Sequence, residues 1–447
     1  MPVARPAPKK NARSRDDAAG EDPRLEHGWR MVDAARELFA RALPQEVLPR
    51  TWHDPRRVFT VVDYLALLLI GLFNPTVRSL RGLCAASALP RLQAQWGCGR
   101  LPLASTSDAQ HLVDPERLRP LIAQLSAKVQ SAAAQAGTIP DPAGARARMG
   151  RFALRVIDST LIEALPRMAW AAYGGGRPRA DGRRHTAVRF HLSFDPLAPC
   201  PSDYTVTPGK GCERAAWRAA LRAAPLVDPG APAAERTELA IGDRYYGGSY
   251  TLLETFAREG THYLVRLRGL EHPVVLEELA LTDADRAAGV LRQAWVWLGK
   301  APKKATAPRV PVRVIWLQGP QDVIVLATDH PPELLDAALA AQMYRERWQV
   351  EFFFRWIKCL LGCGHWLAES RQGATLQLYL VLIAALLLQL QCGRRPTRRM
   401  MELLHFYFQG HASVKDLQEG LERAAREAAL AAASAKARAQ KKAAQKV

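Results

Sequence analysis

Four polar residues recur at helical spacing in the segment YRERWQVEFFFRWIK, which runs from residue 344 to residue 358. Tyr344, Arg347, Glu351 and Lys358 follow the pattern Y-x2-R-x3-E-x6-K. At 100° per residue, a helix places these positions at about 0°, 300°, 340° and 320° around its axis, so all four share one stripe. A carboxylate flanked by a phenol, a guanidinium and an ammonium suits a site that binds a metal ion and a phosphodiester, and it does not suit a buried packing face.

Two aspartates adjoin segments that alternate as β-strands do. Asp158 follows the apolar segment FALRVI and precedes Ser159 and Thr160, so we expect it to end a strand, and Asp243 ends the segment ELAIGD. A single aspartate at a strand end is more often a turn residue, and a single glutamate on a helix is usually solvated. Asp158, Asp243 and Glu351 together can converge at one edge of a mixed sheet, and this combination indicates chemistry.

Three carboxylates at one sheet edge form a site for a hard divalent cation. Mg²⁺ and Mn²⁺ prefer oxygen ligands of this kind. Two such ions about 3.5–4 Å apart can activate a water molecule or a 3′-hydroxyl and stabilise the leaving oxygen of a phosphodiester. The sequence therefore predicts a site with two Mg²⁺ or Mn²⁺ ions.

The overall composition is that of a globular protein with a polyanionic partner. The 447 residues include 62 Lys and Arg against 43 Asp and Glu, which gives a net charge of +19. This excess favours nucleic acid as the partner, although ribosome-associated and membrane-surface proteins share it. The seven cysteines show no paired spacing, which is typical of reduced thiols. The N-terminus lacks a secretory signal, and the apolar run from 378 to 390 favours a core helix over a membrane span. We therefore expect a cytoplasmic protein without a membrane partner.

The composition and the hydrophobic periodicity of the sequence change several times along the chain. The first residues are rich in Pro, Arg and Lys, which is typical of disorder. Short amphipathic helices follow, then alternating strands, then strands of a separate β-rich insertion, and then a strand that leads into one long helix from about 333 to 361. This order is an α/β pattern. The predicted units are a disordered basic tail (1–24), a helical DNA-binding domain (25–145), the first part of a catalytic domain (150–269), the β-rich insertion (270–320), the second part of the catalytic domain with the Glu351 helix (321–395), and a C-terminal helical region with a basic tail (396–447).

Three motifs, VIDST, AIGDRYYGG and YRERWQVEFFFRWIK, resemble those of the DDE transposases of bacterial insertion sequences. The group with the Tyr-Arg-Glu-Lys signature, the insertion-sequence-four family, is the most similar, and the resemblance extends over roughly residues 60 to 400. It implies a ribonuclease-H-like catalytic domain of mixed sheet and flanking helices, interrupted by a β-rich insertion and preceded by a helical domain. It also implies that Asp158, Asp243 and Glu351 are the catalytic, metal-binding triad.

The resemblance predicts further residues that contact DNA. Tyr344, Arg347 and Lys358 match the signature residues that contact DNA phosphates near the cleaved end, and Arg244 follows the second aspartate directly. The β-rich insertion of this family can hold a base flipped out of the DNA end, although tryptophan in an alternating strand is usually a core residue. The second motif reads Asp-Arg-Tyr-Tyr, where a glycine before the aromatic residue is common in the family. The candidate stacking residues in the insertion are Trp295, Trp297 and Trp316.

The function implied is cut-and-paste transposition by a DNA transposase. The protein would bind terminal inverted repeats and target DNA as a homodimer on paired ends, in the bacterial cytoplasm and in association with the nucleoid. One alternative is a metal-dependent nuclease of the same fold, which cuts DNA without joining it. The others are a catalytically decayed DNA-binding protein and, on charge alone, a basic protein that binds RNA.

Overall fold

A nine-stranded mixed sheet with helices on both faces forms the centre of the protein. The strands are β1 (Phe152–Glu163), β2 (Ala187–Asp195), β3 (Cys200–Pro208), β4 (Thr237–Gly242), β5 (His262–Arg266), β6 (Val274–Glu278), β7 (Val290–Trp297), β8 (Val312–Gln318) and β9 (Val323–Thr328). The computed structural model describes residues 27–44, 46, 48–54, 59–74, 76–90, 93, 99–136, 148–173, 185–197, 200–223, 237–248, 253, 262–269, 273–298, 311–360, 365–392, 395–409, 411–413 and 415–417, with single residues and pairs between 419 and 437.

The strand order in the sheet is β3-β2-β1-β4-β5-β9-β8-β7-β6. β1 runs parallel to β4, and β4 runs parallel to β5. All other neighbouring strands are antiparallel. Val156 belongs to the larger hydrophobic cluster and Ile157 belongs to the smaller cluster on the other face, because successive side chains of a strand point to opposite sides. β1 is therefore covered on both faces, as expected for a strand with a parallel neighbour.

The helices precede, connect and follow the strands. They are α1 (His27–Ala42), α2 (Val61–Phe73), α3 (Leu80–Ala86), α4 (Leu103–Ala109), α5 (Arg119–Ala136), α6 (Glu213–Ala223), α7 (Asp283–Ala287), α8 (Ala337–Glu346), α9 (Trp348–Leu360), α10 (Arg371–Cys392) and α11 (Arg398–Phe408). Short 3-10 turns lie at Arg50–His53, Pro115–Leu118 and Ala169–Ala171.

Helix α10 is the centre of the larger hydrophobic cluster. Its length and composition would allow it to cross a membrane, but 89% of its most apolar window is buried inside the protein. It packs against α5, α2 and α9. The prediction of a core helix in this segment is confirmed, and the burial of so much apolar surface fixes α9 relative to the sheet.

The predicted strands are present, and three expectations need correction. The strand expected to end at Asp158 continues to Glu163, because the antiparallel partner β2 pairs with it as far as Glu163 and Ala187. The long helix expected from about 333 to 361 is divided into α8 and α9. The β-rich insertion is not separate, since its strands extend the same sheet through the pairing of β8 with β9.

The described residues do not cover all of the predicted organisation. Segment 1–24 and most of the helix expected from 249 to 259 lie outside the described residues. Side chains of α1, α2 and α5 share the larger hydrophobic cluster with α10 and the sheet, so the described N-terminal helices pack directly on the rest of the protein. The proposed domain boundaries stay predictions.

A glycine permits the close approach of the turn after β4 to the end of β5. A Cβ atom on Gly247 would overlap the carbonyl oxygen of Arg266 and lie 2.7 Å from its carbonyl carbon. The neighbouring Gly248 has its nearest atoms at 3.4–3.5 Å, an ordinary contact distance. Gly247 therefore allows the backbone that follows Asp243 to pack against the neighbouring strand.

We expect Gly247→Ala to destabilise the protein by about 2 kcal/mol, because the added methyl group must displace backbone atoms of β5. Gly248→Ala is the matched control and is expected to change the free energy of unfolding by less than about 0.5 kcal/mol. Chemical denaturation of the two variants measures the difference. Equal stability of the two variants would contradict this account of the turn.

Candidate functional site

The register of the parallel pair β1 and β4 brings two aspartates to the same place. Phe152 pairs with Thr237 and Val156 pairs with Ile241, so paired residues are 85 apart in the chain. Asp158 and Asp243 are also 85 apart. β4 ends at Gly242, and β1 continues beyond it. The two aspartates therefore follow the last paired residues of this ladder side by side.

Backbone amides orient both aspartates. Oδ1 of Asp158 accepts a hydrogen bond from the backbone N–H of Ser159 at 2.8 Å. Oδ1 of Asp243 accepts one from the backbone N–H of Tyr245 at 2.8 Å, and the backbone carbonyl of Asp243 accepts from Tyr246 and Gly247. The turn after β4 thus folds around Asp243 and fixes its carboxylate at the edge of the sheet.

Glu351 reaches this edge from helix α9, after a break in the expected long helix. The backbone N–H of Arg347 donates to the carbonyl of Tyr344 at 3.2 Å, and that of Val350 donates to the carbonyl of Arg347 at 3.2 Å. These bonds span three residues, as in a 3-10 turn, so the chain tightens at Arg347 between α8 and α9. Tyr344 and Arg347 are buried, Glu351 is partly exposed and Lys358 is exposed.

Arg347 bridges two of the three carboxylates. Its Nη2 atom lies 2.7 Å from Oε1 of Glu351, and its Nη1 atom lies 3.8 Å from Oδ2 of Asp158. The side chain also lies over the ring of Tyr344, with 5.6 Å between the guanidinium carbon and the ring centroid. Only 7% of Arg347 is exposed. The guanidinium is therefore the internal counter-charge of the site.

The pKa of Asp158 reflects its burial and its charged neighbours. Burial raises this pKa from 3.8 to about 7, while the Ser159 N–H and Arg347 lower it, and Asp243 and Glu351 raise it again. Burial also raises the pKa of Tyr344, with Arg347, Arg266 and Asp243 among its charged neighbours. Burial lowers the pKa of Arg347, but Tyr344, Glu351 and Asp158 outweigh that effect and the net shift is upward. Five ionisable groups therefore form one electrostatic unit: Asp158, Asp243, Glu351, Tyr344 and Arg347.

The donor chemistry of this unit fits a divalent cation. Carboxylate oxygens from β1, the end of β4 and α9 are hard ligands of the kind that Mg²⁺ and Mn²⁺ take. Within the described residues, no three His, Cys, Asp or Glu side chains are already placed around one common ion position. Arg347 lies against Asp158 and Glu351 and supplies the positive charge there.

A known protein family matches the segment that contains these carboxylates. The family described as Transposase DDE domain matches residues 151–387, more than half of the chain. The chain belongs to this family. Membership confirms the predicted DDE transposase, an enzyme class that cleaves DNA and transfers strands, and DDE transposase domains generally depend on divalent metal ions. The insertion-sequence-four group stays a prediction.

Two relatives bear transposase names. A protein of Sinorhizobium fredii, strain NGR234, named as transposase y4zB is 26% identical over 261 residues, which are 58% of this chain and 66%, just under two thirds, of that relative. A protein of Geobacillus stearothermophilus named as the transposase for insertion sequence element IS5377 is 23% identical over 342 residues, 76% of this chain and 78% of that relative.

A solved structure, that of piggyBac transposase in a synaptic complex with hairpin DNA, is 11% identical to the chain with a TM-score of 0.34. The match covers 91% of this chain and 81% of that one. A likeness at this score supports no conclusion about fold or function.

The other residues predicted to contact DNA lie at different distances from the three carboxylates of this transposase. Arg244 is exposed next to Asp243, and Lys358 is exposed on α9 about 10 Å along the helix from Glu351. The three tryptophans of the insertion lie on β8 and β7, which are respectively four and five strands away from β1 in the sheet. At about 4.8 Å per strand, this separation is roughly 19–24 Å. The tryptophans Trp295, Trp297 and Trp316 are all partly buried.

Two arginines near the site were missed by the sequence reasoning. Arg189 on β2 donates from Nη1 to Oγ of Ser159 at 3.0 Å and forms an ion pair with Glu213. Arg214 on α6 lies over the ring of Tyr245, 4.5 Å from its centroid. Both lie outside the three recognised motifs, and only the pairing of β1 with β2 and the packing of α6 reveal their proximity.

Replacing Asp158 with Asn is expected to stabilise the metal-free transposase above neutral pH. The folded-state pKa of about 7 lies above the usual 3.8, so the folded protein loses stability as the pH rises from about 4 to 7 and the buried group must ionise. An amide of the same shape avoids this loss. We expect the free energy of unfolding to rise by about 2 kcal/mol at pH 8, with little change below about pH 4, in chemical denaturation with EDTA.

The control is Asp283→Asn, because the Asp283 side chain on α7 is fully exposed. It is expected to leave stability unchanged at both pH values. A lower stability of Asp158→Asn than of the wild type at pH 8 would contradict the proposed cost of ionising Asp158.

Proposed function

We propose that this transposase cuts DNA at the ends of a mobile element and joins those ends to target DNA, with Asp158, Asp243 and Glu351 as the catalytic, metal-binding residues. The observation that carries the proposal is the register of β1 and β4, which sets the two aspartates side by side. The effect of Asp243 and Glu351 on the pKa of Asp158 supports it further.

The strand order supports a ribonuclease-H-like catalytic domain. Within β3-β2-β1-β4-β5, the first three strands form an antiparallel unit, and β4 and β5 run parallel to β1. Strands β6 to β8 lie between Asp243 and Glu351 in the chain, as the β-rich insertion of the insertion-sequence-four group does. We assign the chain to that group, with the N-terminal helices as its DNA-binding part.

The proposed cofactor is Mg²⁺ or Mn²⁺, with two ions in each site. When bound, the ions supply Lewis-acid stabilisation of the scissile phosphate and activation of the attacking oxygen. The three carboxylates would hold the ions at the sheet edge. Arg347 and Lys358 contribute positive charge for the DNA phosphates, and Tyr344 contributes one phenol donor beside them. The proposed partners are the terminal inverted repeats and the target DNA, bound by a homodimer in the cytoplasm beside the nucleoid.

The position of Arg347 gives it two roles in this proposal. In the structure its guanidinium binds Glu351 and approaches Asp158. A DNA phosphate offers the same guanidinium two oxygens in a comparable geometry. Transfer of Arg347 from the carboxylates to the phosphate would leave the carboxylates free for metal, so that metal binding and DNA binding favour each other.

The test of the proposed function uses a labelled duplex that carries the inverted repeat flanking the coding sequence, with Mg²⁺ or Mn²⁺ and an unlabelled target plasmid. We expect cleavage of the strand that gives a free 3′-hydroxyl, followed by joining to the plasmid. Glu351→Gln is expected to lower both activities by more than about a hundredfold. Cleavage without joining would favour a nuclease, and binding without cleavage in either metal would favour a decayed DNA-binding protein.

We expect Arg347→Ala to increase the affinity for Mn²⁺ in the absence of DNA by about tenfold. The substitution removes the guanidinium that lies against Asp158 and Glu351, two of the proposed metal ligands. Isothermal titration with Mn²⁺ measures the change, with Asp158→Ala as the variant that loses binding. The matched control is Arg345→Ala, since Arg345 is exposed and donates to the carbonyl of Ala288. Weaker Mn²⁺ binding by Arg347→Ala would contradict the competition.

A further inference from the structure

Helix α6 covers the sheet beside the two proposed aspartate ligands, on the face opposite the Glu351 helix. It packs against β1, β2 and β3. Trp217 of α6 belongs to the smaller hydrophobic cluster, whereas Phe353 of α9 belongs to the larger one. These clusters lie on the two faces of β1, so the aspartates at the sheet edge have α9 on one side and α6 on the other.

Two side chains of α6 hold the turn that carries Asp243. Nε and Nη2 of Arg214 donate to the backbone carbonyl of Tyr245 at 3.2 and 2.6 Å, and the guanidinium carbon lies 4.5 Å from the ring centroid of the same residue. Trp217 packs edge to face on Tyr246, with 4.7 Å between the ring centroids. The backbone N–H of Tyr245 donates to Oδ1 of Asp243 at 2.8 Å. The contacts of α6 therefore fix the peptide that orients this carboxylate.

A second arginine connects α6 to the residue that follows Asp158. The last paired residues of β1 and β4 precede Asp158, so in the described part of the chain only β2 pairs with β1 at Ser159. Nη1 of Arg189 donates to Oγ of Ser159 at 3.0 Å, and the backbone N–H of Ser159 donates to Oδ1 of Asp158 at 2.8 Å. Arg189 forms an ion pair with Glu213 of α6, and Nε donates to the carbonyl of Gly209 at 3.1 Å. This network supports β1 where its pairing with β4 has ended.

The two connections have the same design. In each, an arginine holds the residue whose backbone N–H binds an aspartate oxygen, and the first turn of α6 supplies that arginine or its counter-charge. Arg347 lies directly against the carboxylates, whereas Arg189 and Arg214 donate to a hydroxyl and to backbone carbonyls. Their contacts therefore act on the orientation of the ligands.

We propose that Arg189, Glu213 and Arg214 are positioning residues, which hold the carboxylates of Asp158 and Asp243 in the orientation that binds the metal ions. This inference rests on the proposed function and adds the groups that support its ligands. Groups that orient metal ligands before the ion arrives reduce the ordering that binding itself requires, and their loss weakens metal binding by about 10–100-fold.

The first test is isothermal titration with Mn²⁺ in the absence of DNA. Arg214→Ala is expected to weaken Mn²⁺ binding about tenfold, because the turn that orients Asp243 loses its support. Arg214→Lys keeps a cationic donor for the carbonyl and is expected to weaken binding only about threefold. The matched control is Arg218→Ala, which removes the same charge one turn further along α6 and is expected to bind Mn²⁺ as the wild type does.

The connection through Ser159 is tested by a double-mutant cycle in the same titration. Ser159→Ala removes the hydroxyl and keeps the ion pair of Arg189 with Glu213, so it leaves no buried charge unpaired. It is expected to weaken Mn²⁺ binding about threefold. Adding Ser159→Ala to Arg189→Ala is expected to weaken binding no further, because both substitutions break one connection.

Cleavage of the labelled duplex at saturating DNA separates positioning from a general loss of structure. Arg214→Ala is expected to need about tenfold more Mn²⁺ for half-maximal cleavage and to reach the wild-type rate in excess Mn²⁺. A damaged fold would not recover in this way. The affinity of Arg214→Ala for DNA in EDTA is expected to change less than about twofold, whereas loss of a phosphate contact would lower it.

The results separate this inference from the proposed function. Unchanged Mn²⁺ affinity in either Arg214→Ala or Ser159→Ala overturns the positioning role, even if the wild type cleaves and joins DNA. Weaker DNA binding by Arg214→Ala in EDTA, with an unchanged Mn²⁺ requirement, assigns this arginine to a DNA phosphate and also overturns the role. A wild type that binds no Mn²⁺ overturns the proposed metal site and this inference together.

Discussion

The burial of a carboxylate beside two others at one sheet edge is the constraint on which the site depends. Burial and the charges of Asp243 and Glu351 raise the pKa of Asp158 to about 7, so the ionised site is unfavourable by itself. Arg347 partly offsets the cost of ionising Asp158 from its place against Asp158 and Glu351. A site of this kind is held together by the surrounding structure, and a divalent cation is the partner that its charge requires.

Two parts of the fold hold the three carboxylates in place. The parallel pairing of β1 with β4 fixes the aspartates through backbone hydrogen bonds, which are insensitive to the charge of the side chains. The buried helix α10 packs against α9 and so fixes the helix that carries Glu351. The chain tightens at Arg347, whose side chain lies against Asp158 and Glu351. Rigid elements thus hold a strained polar site, as expected where structure serves chemistry.

Much of the site could be predicted from the sequence because its motifs are local. Helical spacing placed Arg347 and Glu351 together, and they form an ion pair at 2.7 Å. Alternation predicted β2 as Ala187–Asp195, with the bounds that the structure has. The end of β1 could not be predicted, because β2 extends it from a distance of more than 20 residues. The proximity of Arg214 to Tyr245 likewise depends on the packing of α6. The break at Arg347 depends on backbone hydrogen bonds that the residue types of this segment do not predict.

The most direct measurement of the central claim is backbone cleavage by Fe²⁺ bound in place of the native divalent ion. With ascorbate and peroxide, Fe²⁺ generates hydroxyl radicals that cut the polypeptide near its own ligands. We expect cuts near Asp158, Asp243 and Glu351 in the same sample, with all three suppressed by excess Mg²⁺ and absent in Asp158→Ala. Cuts near only one of the three residues, or cuts elsewhere that Mg²⁺ suppresses, would show that the three carboxylates do not share a metal site.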